Sequence, residues 1–87
     1  MPDDHDVLDP GGPLPMYAQL AAILREEITS GRISGSIPLP SRTALVQRYG
    51  VSMRTVNSAL SVLRQEGLIE VRVGRGMFSV PESKRPR

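Results

Sequence analysis

The chain has 87 residues, enough for one small domain with a single core. Hydrophobic residues make up 39% and charged residues 23%, a mixture typical of a soluble globular protein. There is no cysteine, and the single histidine, His5, has only aspartates beside it, which excludes disulfides and the usual metal sites and nucleophile pairs. No apolar run reaches the roughly 18 residues that span a bilayer, and no signal peptide is recognisable. We therefore expect a cytoplasmic protein without metal or cofactor.

The positive charges are unevenly distributed along the chain. Residues 1–12 contain four Asp and no Lys or Arg, so residues 13–87 hold all 11 basic residues against five Glu, a net charge of +6. Ten of the 11 are Arg, whose planar guanidinium suits forked contacts with phosphates and base edges. Three aromatic residues are too few for base stacking, so the composition favours groove contacts with a duplex. A solvated charged surface is the alternative that charge alone leaves open.

Both ends of the chain have the composition of disordered segments. Residues 1–13 combine four Asp with three Pro and the pair Gly11-Gly12, and they predict a disordered acidic arm. Residues 81–87 predict a disordered basic tail. Residues 14–80 contain neither a repeat nor a linker, so they predict one folded domain.

Two helices are predicted first in chain order. The first begins near Pro15, which loses no hydrogen bond at a first helical position, and it ends at Gly31. Its apolar stripe, at spacings of three and four residues, consists of Tyr17, Leu20, Ala21, Leu24 and Ile28. The second helix follows the N-cap Ser41 and directs Leu45, Val46 and Tyr49 inward.

A third helix and a hairpin complete the predicted domain. Gly50 allows a tight turn, Ser52 caps the third helix, and Gly67 ends it. Its inward residues are Val56, Ala59, Leu60 and Leu63, and Ile69 follows in the first of two short strands. Residues 74–76 join those strands as a hairpin. The order predicts a mainly α winged helix-turn-helix, with three helices and a two- to three-stranded antiparallel sheet.

In this fold the third helix enters the major groove of DNA, and the hairpin, or wing, meets the backbone or the minor groove. The predicted DNA contacts are Arg42, Thr43, Ser52, Met53, Arg54, Thr55, Asn57, Ser58, Arg64, Gly74, Arg75 and Gly76. Arg54 and Asn57 share one helix face, where Arg favours the O6 and N7 acceptors of guanine, and Asn the N6 and N7 pattern of adenine. Each residue also has a structural interpretation, since Ser52 can be only a cap and Arg54 only a phosphate contact.

Several motifs resemble the DNA-binding domain of the GntR family from about residue 14 to residue 80. They are Pro15-Met16-Tyr17-Ala18-Gln19-Leu20-Ala21, Leu39-Pro40-Ser41, Tyr49-Gly50-Val51-Ser52, Glu66-Gly67-Leu68-Ile69 and Gly74-Arg75-Gly76-Met77-Phe78. The resemblance implies a bacterial transcriptional regulator that binds a palindromic double-stranded DNA operator as a dimer, usually as a repressor.

The sequence also departs from the family's pattern. Arg42-Thr43 stands where members usually have Glu-Arg, and Met53-Arg54 and Asn57 stand where they commonly have Arg-x and Arg. A shift of one residue turns a side chain by about 100° around a helix, so the family's usual operator sequence is not expected. The C-terminal domain that binds a metabolite in such regulators is not recognisable either, so no small-molecule effector site is expected.

Two other functions are compatible with a winged helix. It can serve as a protein-interaction module, but the exposed face of the third helix then needs apolar anchors, and only Met53 qualifies. It can also be an accessory DNA-bending protein, which the sequence does not separate from a regulator. An enzyme is not expected, because the chain has no phosphate loop, nucleophile–base pair or metal cluster. The leading expectation is a DNA-binding regulator in the cytoplasm, at the nucleoid.

Overall fold

The structure, a computed structural model, describes residues 8–85. Its elements are α1 (Met16–Thr29), α2 (Arg42–Tyr49), α3 (Met53–Gln65), β1 (Ile69–Arg72), β2 (Gly76–Ser79) and a 3-10 turn (Glu82–Lys84). Three helices followed by an antiparallel hairpin confirm the predicted winged helix-turn-helix.

The core lies where α1 and α2 pack against α3 and the hairpin covers the end of α3. Every apolar position predicted for the inner face of α3 is buried, as are Leu20, Leu24 and Ile28 of α1. Tyr17 was predicted to join the stripe of α1, and this is wrong: it lies in the first turn of the helix and is 40% exposed. Ile23 is buried instead.

The helix-turn-helix is fixed by local hydrogen bonds that the sequence signals predict. The Ser41 hydroxyl accepts from the N–H of Ala44 at 3.1 Å, which satisfies one free donor of the first turn of α2. Gly50 adopts a φ of +65° and donates its N–H to the carbonyl of Val46 at 2.9 Å. That left-handed residue turns the chain sharply enough to start α3 three residues later.

The hairpin pairs residue 69 with residue 79 and Arg72 with Gly76. The described residues form a two-stranded sheet, at the lower end of the two to three strands predicted. The N–H of Leu39 donates to the carbonyl of Met77 at 2.7 Å, so the segment before α2 is tied to β2. This bond brings the start of α2 beside the wing.

Residues near both ends of the described chain contact the folded domain. Leu8 packs against the core, and the Gln19 side chain both accepts from the N–H of Asp9 (2.6 Å) and donates to its carbonyl (2.7 Å). At the other end, Arg85 donates through Nε to the carbonyl of Val80 at 2.8 Å. Composition does not reveal these contacts, because each needs a partner on the folded domain. Residues 1–7 and 86–87 lie outside the described residues.

Candidate nucleic-acid interface

Three concavities overlap along the side of the domain formed by α2, α3 and the wing. The first, of about 220 Å³, includes Arg42, Asn57, Ser61, Arg64 and Val71 in its lining. The second includes Tyr17, Arg54, Asn57 and Ser58, and the third Ser41, Arg42, Thr43, Arg75 and Gly76. Because Asn57 borders the first two and Arg42 borders the first and third, they form one continuous surface. We call this surface the basic face.

The structure brings eight of the twelve predicted contact residues onto the basic face. They are Arg42, Thr43, Arg54, Asn57, Ser58, Arg64, Arg75 and Gly76. The other four lie at the start of α3 (Ser52, Met53, Thr55) and in the wing turn (Gly74). The prediction did not include Ser61 and Val71, although Ser61 follows Asn57 by one helical turn and could have been found from that spacing.

Two arginines away from the basic face, Arg25 and Arg72, are bonded to carboxylates, whereas the arginines of the basic face have no carboxylate partner among the described residues. Away from the basic face, Arg25 forms a forked bridge with Glu66 (2.8 and 2.7 Å). Arg72 donates to Glu70 at 2.8 Å and stacks on the ring of Phe78. On the basic face, no carboxylate of residues 8–85 lies within 4.0 Å of the guanidinium nitrogens of Arg42, Arg54, Arg64 and Arg75. These four charges are therefore free to attract anions.

The hydroxyl of Ser52 caps the first turn of α3. Ser52 Oγ accepts from the N–H of Thr55 and donates to Thr55 Oγ1, both at 3.1 Å. Ser52 therefore caps the helix, which is the structural interpretation of that residue. Arg54, between Ser52 and Thr55 in sequence, is exposed and lines one concavity together with Asn57 and Ser58.

An unpredicted hydrogen bond joins α2 to α3. Arg42 Nε donates to Asn57 Oδ1 at 2.8 Å, across fifteen residues of sequence. No local spacing rule connects the two positions. The available signal was that both depart from the family's usual residues, Arg42 replacing Glu and Asn57 replacing Arg.

The wing presents its cation on a turn built by two glycines. Gly74 and Gly76 have φ values of +77° and +109°, which L side chains rarely adopt, and the N–H of Arg75 donates to the carbonyl of Arg72 at 2.9 Å. Arg75 is exposed at the tip of the hairpin, and so is Val73, two residues before it, which is 97% exposed.

Within residues 8–85, no group of three or more His, Cys, Asp or Glu side chains could hold a metal ion. None of the helices in that part of the chain is long and apolar enough to cross a membrane.

Residues 16–78 match the family model described as bacterial regulatory proteins, gntR family. The chain belongs to the gntR family. It is 39% identical over 66 residues to the transcriptional repressor NagR of Bacillus subtilis, a match that covers 76% of this chain and 27% of NagR. It is 36% identical over 67 residues to the repressor MngR of Escherichia coli, covering 77% of this chain and 28% of MngR. The chain thus spans about a third or less of the curated relatives' length.

Solved structures of the gntR family share the fold. YtrA from Sulfolobus acidocaldarius, a GntR-family transcription factor, superposes with a TM-score of 0.81 at 33% identity, covering 91% of this chain and 83% of YtrA. The AraR DNA-binding domain in complex with operator ORX1 gives a TM-score of 0.76 at 33% identity, covering 85% of this chain and 94% of that domain.

Proposed function

We propose that this gntR-family domain is a DNA-binding transcriptional regulator that places α3 in the major groove of a duplex operator and rests its wing on the backbone or in the minor groove. The observation that carries the proposal is the basic face, whose four arginines have no carboxylate partner within residues 8–85 and lie on a helix-turn-helix and its wing. Relatives named as repressors and the operator complexes of the AraR domain support it.

The arrangement divides the contacts between positioning and reading. Arg75 at the wing and Arg42 and Thr43 at the start of α2 flank the exposed side of α3, where they can reach phosphates. Arg54 and Asn57 lie in the N-terminal half of α3, which is the part of a recognition helix whose side chains contact base edges. The protein acts by binding alone, so no chemical step is assigned to it.

We further propose that two copies bind a palindromic operator and that the bound dimer represses transcription, in the cytoplasm at the nucleoid. One α3 and one wing touch only a few base pairs, which is too little for selection among the roughly 10⁶ or more competing sites of a genome. A second copy on a symmetric half-site doubles the contact and supplies the missing specificity.

Selection of binding sites from random duplexes tests the proposal. We expect one enriched motif with two-fold symmetry, and sedimentation of the protein with that site should report two copies per duplex. With four to six phosphate contacts, the slope of log affinity against log salt should be about −4 to −5. Absence of duplex binding at low salt would refute the proposal and favour a protein-interaction module.

A further inference from the structure

The Arg42–Asn57 contact fixes which hydrogen-bonding groups α3 can offer to a base. Arginine carries only donors, so the atom of Asn57 that faces it must be the amide oxygen. The 2.8 Å bond from Arg42 Nε therefore holds Oδ1 of Asn57 and turns the Nδ2 group away from the guanidinium. Both side chains are exposed and lie in the middle of the basic face.

This arrangement alters the base that Asn57 can read. An unengaged asparagine recognises adenine by accepting from the N6 amino group and donating to N7. Here the accepting atom already serves a cation, and an approaching N6 amino group would meet the guanidinium's own N–H donors at the same place. The two side chains present several N–H donors, while Oδ1 keeps only one lone pair beside the guanidinium. The purine edge that fits this pattern best is the one that offers only acceptors, guanine through O6 and N7.

We propose that Arg42 is a specificity-determining residue, which acts through Asn57 to make that position of α3 select guanine over adenine. The inference rests on the proposed function, since it concerns how the same face reads an operator. It differs from the expectation drawn from the sequence, in which Asn57 alone reads adenine.

The test is site selection with four proteins in parallel. Asn57→Ala identifies the base pair that depends on Asn57, because preference at that pair alone should disappear. At that pair the unaltered protein should favour guanine over adenine about tenfold. Arg42→Ala releases Oδ1, so the preference should fall to about equal or turn toward adenine. Arg48→Ala, which removes an arginine from the other end of α2, should leave the preference at tenfold.

A fourth variant reverses the chemistry without removing the contact. Asn57→Asp keeps an oxygen for Arg42 but replaces the amide donors with an acceptor, so the favoured base at the same pair should become cytosine, through its N4 amino group. Circular dichroism should show all variants folded, because all three altered positions are exposed.

Three results would overturn the inference. These are adenine at the Asn57-dependent pair in the unaltered protein, a guanine preference that survives Arg42→Ala, and a selected site with no pair that depends on Asn57. Each of them leaves a selected operator in place and so leaves the proposed function standing. Failure of the unaltered protein to select any motif would instead refute both. In the free protein, NMR should show the Arg42 Nε–H protected from exchange, and Asn57→Ala should remove that protection.

Discussion

Leu60 tests whether α3 is rotated as described, because its burial determines which side of the helix remains for DNA. It is only 3% exposed and packs with residues of α1 and the first strand in one core cluster. Burying a leucine side chain contributes about 1.5–3 kcal/mol, and the cavity left by truncation raises the cost of Leu→Ala to about 2–5 kcal/mol. A chain of this size is stable by about 4–13 kcal/mol in total, so Leu60→Ala removes a large share.

Urea unfolding followed by circular dichroism measures the effect. With a slope of about 1 kcal/mol per molar urea for a small domain, a loss of 3 kcal/mol lowers the midpoint by about 3 M. Leu14→Ala is the matched control, since it makes the same truncation at a side chain that is 56% exposed, and it should cost less than about 0.5 kcal/mol. A loss below about 1 kcal/mol for Leu60→Ala would place Leu60 outside the core and refute the orientation of α3.

Three further predictions concern the contacts and the turn. Arg75→Ala should weaken binding to the selected site and to scrambled DNA alike, and it should reduce the salt slope by about one. Arg54→Ala should instead cost about 1–3 kcal/mol of binding free energy on the selected site and little on scrambled DNA. Equal losses on both DNAs for Arg54→Ala would show that Arg54 contacts phosphate rather than a base. The hydrogen bond from Arg25 lowers the pKa of Glu66, so their bridge stabilises the fold above the ordinary glutamate pKa and is lost as the pH falls through the lowered one. Because both side chains are 38% exposed, Arg25→Ala should cost less than about 1 kcal/mol in urea unfolding at pH 7 and nothing near pH 2; a constant cost would contradict the linkage. Gly50→Ala should destabilise by about 1–2 kcal/mol through its φ of +65° alone, because a Cβ there meets nothing within 4 Å, and thermal unfolding should show a smaller loss for Gly50→Asn.

Much of the fold was predictable because its signals are local. Ser41 and Ser52 cap the helices they were assigned to, and the spacing of apolar residues gave the buried side of α3 correctly. The same spacing rule located the centre of the α1 stripe but not its edges. Tyr17 and Ile23 lie at those edges, and which of them is covered depends on where α3 and the ends of the chain pack, a property of the tertiary structure.

Which residues belong to the basic face was predictable for similar reasons, but which of them hydrogen-bond to each other was not. Residues of α3 that share a face follow from helical periodicity, and Arg75 at the wing follows from its flanking glycines. Whether Arg42 meets Asn57 depends on the angle between two helices and on one side-chain conformation. Neither is encoded within a window of sequence, so the contact became visible only in the structure.

That contact also explains how the unusual residues of this chain belong together. In the family's usual pattern the acidic residue stands on the second helix at the position of Arg42, and the cation stands on the third helix at the position of Asn57. Here the cation is on α2, and a neutral amide on α3 accepts its hydrogen bond at 2.8 Å. The change on α2 alone would leave two cations facing each other, which is unfavourable at this distance. The two changes together keep the helices bonded while moving the positive charge toward the wing, where Arg42 and Arg75 border one concavity. An operator recognised by this face should therefore differ from the family's usual one at the bases below Asn57, while the phosphates beside α2 and the wing meet more positive charge.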